Sequence, residues 1–181
     1  MTSPEPLVFR FKCSQCDEWH EGRPSVGYNA PHYYAVLSPE EQKTQANCDS
    51  DFCIVRHAEG PGADHFIRAV LEVPIIGTND AFMWGVWSSL SETNYRAYEQ
   101  CFSDETDAGG DAYPGWFSNN LAGYPSTLGL KCQVRLRSEG RRPLIELDAG
   151  EHPLCRDYHN GITLEQAHLL FERLFHPDKL S

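Results

Sequence analysis

The sequence of 181 residues predicts an α+β fold, with a mainly antiparallel sheet and two or three helices in a single domain. Six segments rich in β-branched and aromatic residues have the composition of strands, and three segments carry a helix cap or a helical period. The two kinds of segment do not alternate strictly, which disfavours a parallel sheet with crossover helices.

The predicted strands are bounded by Gly, Pro or Asn, as strands in antiparallel sheets commonly are. They are residues 7–12, 52–55, 65–73, 82–90, 132–137 and 143–147. Two stretches that contain Gly, 57–64 and 103–115, are predicted to be loops within the same domain.

Capping boxes mark the start of two predicted helices. Ser38 is followed by Pro and, three residues after the cap, by Glu, which predicts a short helix over residues 39–45. Thr163 is followed three residues later by Gln, and apolar residues then recur at helical spacing until Pro177. This pattern predicts a C-terminal helix over residues 163–176.

Ser91 is a third candidate N-cap, because a helical pattern follows it directly. Tyr95, Tyr98 and Phe102 recur at helical spacing and share one face, and the pattern ends at an acidic loop. With the two capped segments, this segment completes the predicted helices.

The composition, 40% hydrophobic and 23% charged residues, is typical of a globular protein. No apolar stretch approaches the roughly 18 residues that a membrane-spanning helix needs. The N-terminal segment lacks the pattern of a secretion signal, so we expect a cytoplasmic protein. Residues 1–10 are expected to form a flexible tail.

The charge balance is acidic, because 15 Lys and Arg residues stand against 26 Asp and Glu residues, for a formal net charge of -11. A field of this sign repels phosphate backbones and anionic lipids, so we expect no binding to nucleic acid or membranes. Basic residues gather in "KCQVRLRSEGRR" (131–142), which is either a solvated face or a site for an anion or acidic partner.

The stretch "FKCSQCDEWHEG" (11–22) has C-x2-C-x3-H spacing and follows a strand-like run. Structural zinc takes four Cys or His ligands, and a C-x2-C turn supplies two thiolates from one side. We therefore predict a zinc-knuckle-like turn in which Cys13, Cys16 and His20 are ligands. Cys53 is the preferred fourth ligand, because its strand can pair with the first strand.

Other choices of fourth ligand stay open. Cys48 is the substitute for Cys53, and more distant candidates are Cys155, His57, His65 and His152. A zinc ion with four protein ligands has no position for water, so we expect a structural role. The seven cysteines argue against a disulfide framework, because their number is odd and no secretion signal precedes them.

Cys13 and Cys16 also have two metal-free interpretations, as reduced core cysteines or as a thiol-redox pair. A reactive C-x2-C pair usually precedes a helix, whose N-terminus lowers the thiol pKa. Gly22, Pro24 and Gly27 interrupt any helical pattern here, which disfavours the redox interpretation.

The segment "IVRHAEG" (54–60) is similar to the strand-end signature of the histidine phosphatases. That similarity implies that Arg56 binds a phosphoryl group and His57 is the nucleophile. A loop that leads into another strand follows, where the phosphatases have a helix, which disfavours this activity. "HAE" also supplies the H-x-E of zinc deaminases, but the C-x2-C pair precedes it and lacks the required proline.

Aromatic residues with amides among them favour either core packing or a ligand groove. We name Trp116, Asn119 and Tyr124, with Arg142 from the basic segment, as the candidate groove. Glu146 is expected to form an ion pair with an Arg on a sheet face.

Seven segments, in order over about residues 11–171, resemble the bacterial domain-of-unknown-function family DUF2199. They are "KCSQCDEWHEGRPSVGYNAPHYY", "SDFCIV", "FIRAVLEVPI", "FMWGVWSSLSE", "GWFSNNLAGYPSTLGLK", "RPLIELDAGEHPL" and "GITLEQ". The resemblance implies one compact prokaryotic domain whose C-x2-C-x3-H element is Cys13, Cys16 and His20. It also implies that Cys53 belongs to the family pattern, whereas Cys48 has no counterpart.

This chain departs from the family in two places. Asp17 stands where the family tends to have Gly after the second cysteine, which implies a less favourable turn and a weaker metal site. The loop "RHAEGPGAD" (56–64) is longer than its family equivalent. The family has no established activity, so the resemblance implies architecture without function.

We expect a binding or interaction domain with a structural zinc site. A small acidic protein of this kind suits a basic protein partner, as immunity proteins of bacterial toxins do. The alternative is an enzyme, either histidine-phosphatase-like through Arg56 and His57 or thiol-redox through Cys13 and Cys16.

Overall fold

The structure, a computed structural model, describes residues 9–104 and 112–176, which form ten strands and five helices. The strands are β1 (Arg10–Lys12), β2 (Trp19–Glu21), β3 (Ser25–Gly27), β4 (Ala46–Cys48), β5 (Phe52–Arg56), β6 (Ala63–Pro74), β7 (Ala81–Leu90), β8 (Ala112–Phe117), β9 (Lys131–Arg135) and β10 (Leu144–Leu147). The helices are α1 (His32–Ala35), α2 (Pro39–Gln45), α3 (Glu92–Asp104), α4 (Pro153–Asn160) and α5 (Leu164–Phe175). The α+β class is confirmed, but the prediction of two or three helices is too low.

Five strands close into a barrel in the order β6, β7, β8, β9, β10 and back to β6. The closing contact is parallel and short, with Leu144 opposite Val70, whereas the other barrel pairings are antiparallel. Outside the barrel, β3 pairs with β7, and the β4–β5 hairpin extends from β6. The sheet is mainly antiparallel, as predicted, but the sequence did not predict its closure.

Alternate residues of the barrel strands fill its interior. On β6, Ile67, Ala69, Leu71 and Val73 are fully buried, and the indole of Trp84 on β7 is buried with them. Burial of each large aliphatic side chain stabilises the fold by roughly 1.5–3 kcal/mol. The interior is therefore the main source of stability.

A second, smaller apolar cluster lies on the opposite face of β5, β6 and β7. It consists of Cys53, Val55, Phe66 and Trp87, all buried. Side chains from the α1–α2 region, among them Leu37, cover this face. Both faces of the central strands are thus protected from solvent.

The predicted caps are confirmed for α2 and α5. The hydroxyl of Ser38 accepts from the Glu41 amide, and the hydroxyl of Thr163 accepts from the Gln166 amide. The sequence did not predict α4, because His152 caps it: the Nδ1 atom accepts from the Leu154 amide. Histidine is not a usual N-cap residue.

The N-terminal part of the described chain is a short antiparallel hairpin, in which Phe11 of β1 lies opposite His20 of β2. Residues 1–8 of the predicted tail lie outside the described residues. Phe9 is buried and Arg10 begins β1, so the prediction of a tail to residue 10 is wrong at its end. Among the described helices, none is long and apolar enough to cross a membrane.

The pairing of β7 with β8 requires a glycine at position 115. A Cβ atom on Gly115 would lie 2.5 Å from the Ser88 Oγ and 2.7 Å from the Ser89 carbonyl oxygen. We expect Gly115→Ala to destabilise the protein by about 1–3 kcal/mol, because the strands would have to separate. Urea unfolding of the variant measures this change.

Gly150→Ala is the matched control, because its Cβ would meet only the Cys155 Sγ, at an ordinary 4.0 Å. Equal unfolding midpoints for the two alanine variants would contradict the close approach at the β7–β8 pair.

Candidate metal centre

A tight turn joins β1 to β2 and carries both cysteines of the C-x2-C pair. The Cys13 amide donates to the Glu18 carbonyl (2.8 Å), and the Asp17 amide donates to the Cys13 carbonyl (3.1 Å). Asp17 has a φ of 61°, the left-handed region that favours glycine. The ammonium of Lys12 lies 2.5 Å from the Asp17 carboxylate, but both side chains are exposed, so this pair compensates little of the strain.

Four side chains converge beside this turn: Cys13, Cys16, His20 and His176. Their ligand atoms all lie within 4.8 Å of one another. The Cys16 Sγ and the His20 Nε2 are 3.3 Å apart, close to the roughly 3.6 Å edge of a tetrahedron around zinc. We call this group the Cys2His2 cluster.

His176 reaches the cluster from the C-terminal end of α5. Its amide donates to the Glu172 carbonyl (2.9 Å), and its ring lies 6.0 Å from the His20 ring. The His176 Nε2 is buried and has no hydrogen-bond partner among the described residues. A buried nitrogen without a partner is costly, and a metal ion would satisfy it.

Glu172 attaches α5 to the cysteine turn. Its carboxylate accepts from the Ser14 amide (2.8 Å) and the Ser14 hydroxyl (2.9 Å), across 158 residues of sequence. The hydrogen bond from the Ser14 amide is the main reason that the pKa of Glu172 lies below its ordinary value. The carboxylate is therefore charged at neutral pH and holds the turn against the helix.

Aromatic packing joins the hairpin to α5. The Phe11 ring stacks on His168 at 4.2 Å and meets Phe171 edge-on at 5.3 Å. Phe171 also lies 4.8 Å from the ring of His20. Burial lowers the pKa of His168, so this imidazole is neutral and packs as an aromatic residue. The cluster consequently has apolar rings along one side.

The pKa of Cys16 is raised. A hydrogen bond with the Glu18 backbone lowers it, but burial and the neighbouring Cys13 thiol outweigh that effect. Reactive C-x2-C thiols have a lowered pKa and usually precede a helix, whereas this pair precedes a strand. These two features disfavour the thiol-redox alternative.

The structure does not bring Cys53 to the cluster. Cys53 lies on β5 opposite Cys48 and packs with Phe66 and Trp87 in the second apolar cluster. Its strand pairs with β4 and β6 and not with β1, so the reason for choosing it does not hold. His176 stands in the place predicted for Cys53 or Cys48, and it was not among the sequence-based candidates.

The packing of the preceding helix, α5, determines where His176 lies. Phe171 and Leu174 pack against the main core, and this orientation carries the end of α5 over the hairpin. Local spacing cannot reveal a ligand that arrives from so far along the chain.

The four residues of the predicted ligand groove do not line one cavity. Asn119 is buried and structural: its Oδ1 accepts from the Trp87 amide (2.7 Å), and its Nδ2 donates to the Ala30 carbonyl (2.9 Å). The hydroxyl of Tyr124 donates to Asp157 (2.9 Å) beside α5. Hydrogen bonds within the fold thus account for both residues.

The other two groove residues face different surroundings. Arg142 forms an ion pair with Asp51 at 2.7 Å. Glu146, which is not a groove residue, forms the expected ion pair with an Arg: its carboxylate lies 2.6 Å from Arg135 across β9 and β10. Trp116 is 51% exposed and borders an open cleft, so it alone keeps the surroundings of a binding residue.

That cleft, of about 930 Å³, lies between the β5–β6 hairpin, the start of α3 and strands β8 and β9. Charged residues of both signs line it, and the Lys131 ammonium lies 5.7 Å from the centre of the Trp116 ring. They are Arg56, Arg96 and Lys131, with Asp64, Glu92 and Asp148. His65 is only 6% exposed and lies 3.9 Å from Glu92. A half-exposed indole among charged side chains of both signs can hold a planar or charged group.

The phosphatase-like segment forms the tip of a β-hairpin. The His57 amide donates to the Gly62 carbonyl (2.9 Å), and its Nε2 lies 3.3 Å from the Asp64 carboxylate. β5 continues into the antiparallel β6, where a histidine phosphatase would have a helix and a parallel strand. The geometry therefore gives His57 no support as a nucleophile.

Fold and site together define an α+β barrel protein in which the first hairpin and a C-terminal helix share a candidate metal centre. The chain belongs to the DUF2199 family, described as "Uncharacterized protein conserved in bacteria", whose family model matches residues 12–162. The match contains Cys13, Cys16 and His20, which confirms the resemblance. No curated protein and no solved structure matches the chain.

Asn119 tests whether the predicted groove residue is structural. We expect Asn119→Ala to destabilise the protein by about 1–3 kcal/mol, because the Trp87 amide and the Ala30 carbonyl would lose their buried partner. Thermal unfolding measures the loss. Asn120→Ala is the matched control, because Asn120 is exposed and, within the described part of the chain, accepts only from the Ser126 hydroxyl. Similar melting temperatures for both variants would contradict the structural role.

Proposed function

We propose that the Cys2His2 cluster is a structural zinc site. The observation that supports it is the convergence of two thiols and two imidazoles from both ends of the described chain within 4.8 Å. Two thiolates and two imidazoles are the ligands that zinc takes in Cys2His2 sites. The unpartnered Nε2 of His176 fits the same assignment.

Four protein ligands favour a structural site over a catalytic one, because a catalytic zinc needs an open position for water or substrate. When bound, zinc would tie β1 and β2 to the end of α5. Cys13, Cys16, His20 and His176 would hold the ion, while Glu172 positions the turn through Ser14.

Elemental analysis of the purified, untagged protein tests this assignment. We expect about one zinc per chain, since one four-ligand cluster binds one ion. Cys13→Ser and His176→Ala should lose the metal, because each leaves three ligands. Cys53→Ala should retain it, because Cys53 lies in a different part of the structure.

Two results would contradict the zinc proposal. One is freshly reduced protein without metal, even after incubation with zinc. The other is full metal content in His176→Ala together with loss in Cys53→Ala, which would restore the fourth ligand that the sequence favoured.

Chelation should also lower the unfolding temperature of the wild type, but not that of Cys13→Ser.

We further propose that the domain acts by binding another protein, and that this partner is basic. The net charge of -11 supports this proposal, because it accelerates encounter with a cationic surface. The cleft supports a binding role independently, since Trp116 is the kind of exposed aromatic residue that anchors an interface.

Affinity capture from a bacterial lysate at low and at high salt tests the binding role. We expect a captured protein with a high isoelectric point whose retention falls as salt rises, because salt screens the attraction. Trp116→Ala should weaken capture and leave the zinc content unchanged. Trp19→Ala is the control, because Trp19 is also more than half exposed but lies on the N-terminal hairpin, away from the cleft. Capture of acidic proteins, or equal loss in both variants, would contradict the proposal.

A further inference from the structure

Cys48 and Cys53 lie directly opposite each other on β4 and β5. The turn between them is closed by a hydrogen bond from the Asp49 amide to the Phe52 carbonyl (2.8 Å). The Asp49 Oδ1 also accepts from the amides of Asp51 (2.8 Å) and Phe52 (2.7 Å). This turn geometry fixes the register of the hairpin, and with it the facing position of the two cysteines.

The backbone hydrogen bonds of β5 show which kind of pair the cysteines form. The Arg68 amide donates to the Asp51 carbonyl (2.9 Å), so alternate residues of this segment, counted from Asp51, direct their backbone groups to β6. Cys53, two residues later and opposite Phe66, follows the same direction. The backbone N–H and C=O of Cys53 therefore point away from β4. Cys53 and Cys48 consequently form a non-hydrogen-bonded pair.

Non-hydrogen-bonded pairs are the closer of the two kinds, with Cα atoms about 4.5 Å apart and side chains on the same face. A disulfide needs Cα atoms about 4.4–6.8 Å apart. The spacing of the β4–β5 ladder is thus already within the range for a covalent bond between Cys48 and Cys53. Only side-chain rotation is required.

The two thiols have different surroundings. Cys53 is 0% exposed, among Phe66 and Trp87, whereas Cys48 is half-buried at the edge of the sheet. A hydrogen bond from Cys53 lowers the pKa of Cys48, and the same contact raises the pKa of Cys53. An accessible thiol with a lowered pKa beside a protected second thiol is the arrangement of redox-sensitive cysteine pairs.

We propose that Cys48 and Cys53 are a dithiol that hydrogen peroxide converts to a cross-strand disulfide. The Cys48 thiolate attacks one peroxide oxygen, the O–O bond breaks, and the leaving hydroxide takes a proton to become water. Cys48 is then a sulfenic acid. The Cys53 sulfur attacks the Cys48 sulfur, the S–O bond breaks, and a second water leaves with the Cys53 proton. A thiol reductant reverses the two-electron oxidation.

Peptide mapping after treatment with hydrogen peroxide tests this proposal. Free thiols of the full-length protein are alkylated under denaturing conditions, and the digest is analysed without reductant. We expect a tryptic peptide, residues 44–56, with an internal disulfide between Cys48 and Cys53 that disappears after reduction. Cys48→Ser should lose this product and leave Cys53 free for alkylation. Cys101→Ser should retain it, and Cys101 is a suitable control because it is also half-buried but lies on α3.

Cys53→Ala is a second variant, in which Cys48 has no partner and should proceed to sulfinic acid. Because Cys53 is fully buried, unfolding of this variant is checked by circular dichroism, and Cys48→Ser carries the test alone if it unfolds. Accumulation of sulfinic acid at Cys48 in the wild type, with Cys53 still free, would overturn the proposal. So would a disulfide from Cys48 to any other cysteine.

Discussion

The antiparallel ladder between β6 and β7 is the element on which the rest of the structure depends. It runs without interruption from the pair His65–Leu90 to the pair Pro74–Ala81. β8 pairs with the outer edge of β7 and β10 with the outer edge of β6, which closes the barrel through β9. β3 also pairs with β7, and β5 with β6. Because successive side chains of a strand point to opposite faces, one ladder supports the interior core on one face and the second apolar cluster on the other.

The N-terminal hairpin has the opposite character. Its strands are three residues long, and an isolated two-stranded hairpin is marginal in water. Its position therefore depends on α5, through the stacking of Phe11 on His168 and the bonds from Ser14 to Glu172. A metal ion would strengthen the same contact at the point where apolar packing ends. The proposed structural site would therefore add stability at this hairpin, whereas the barrel already has a large buried core.

Local signals in the sequence predicted local features correctly. The capping boxes at Ser38 and Thr163 located α2 and α5, and the C-x2-C-x3-H spacing located three of the four cluster residues. The failures involve distant pairings. Barrel closure depends on Leu144 meeting Val70, and neither residue carries a local mark of that contact. The fourth cluster residue was missed for the same reason, because only the packing of α5 brings it near.

The predicted groove failed for a different reason. The local sequence, an amide among aromatic residues, is the same whether the amide binds a ligand or forms hydrogen bonds with the backbone. Only the partners of Asn119 decide between the two. The cysteines show the same limit. Their odd number argued against a disulfide framework, yet it could not separate the cluster pair from the facing pair on β4 and β5. One pair lies against α5 and the other at a sheet edge, so the proposed metal binding and the proposed thiol oxidation would involve separate parts of one small domain.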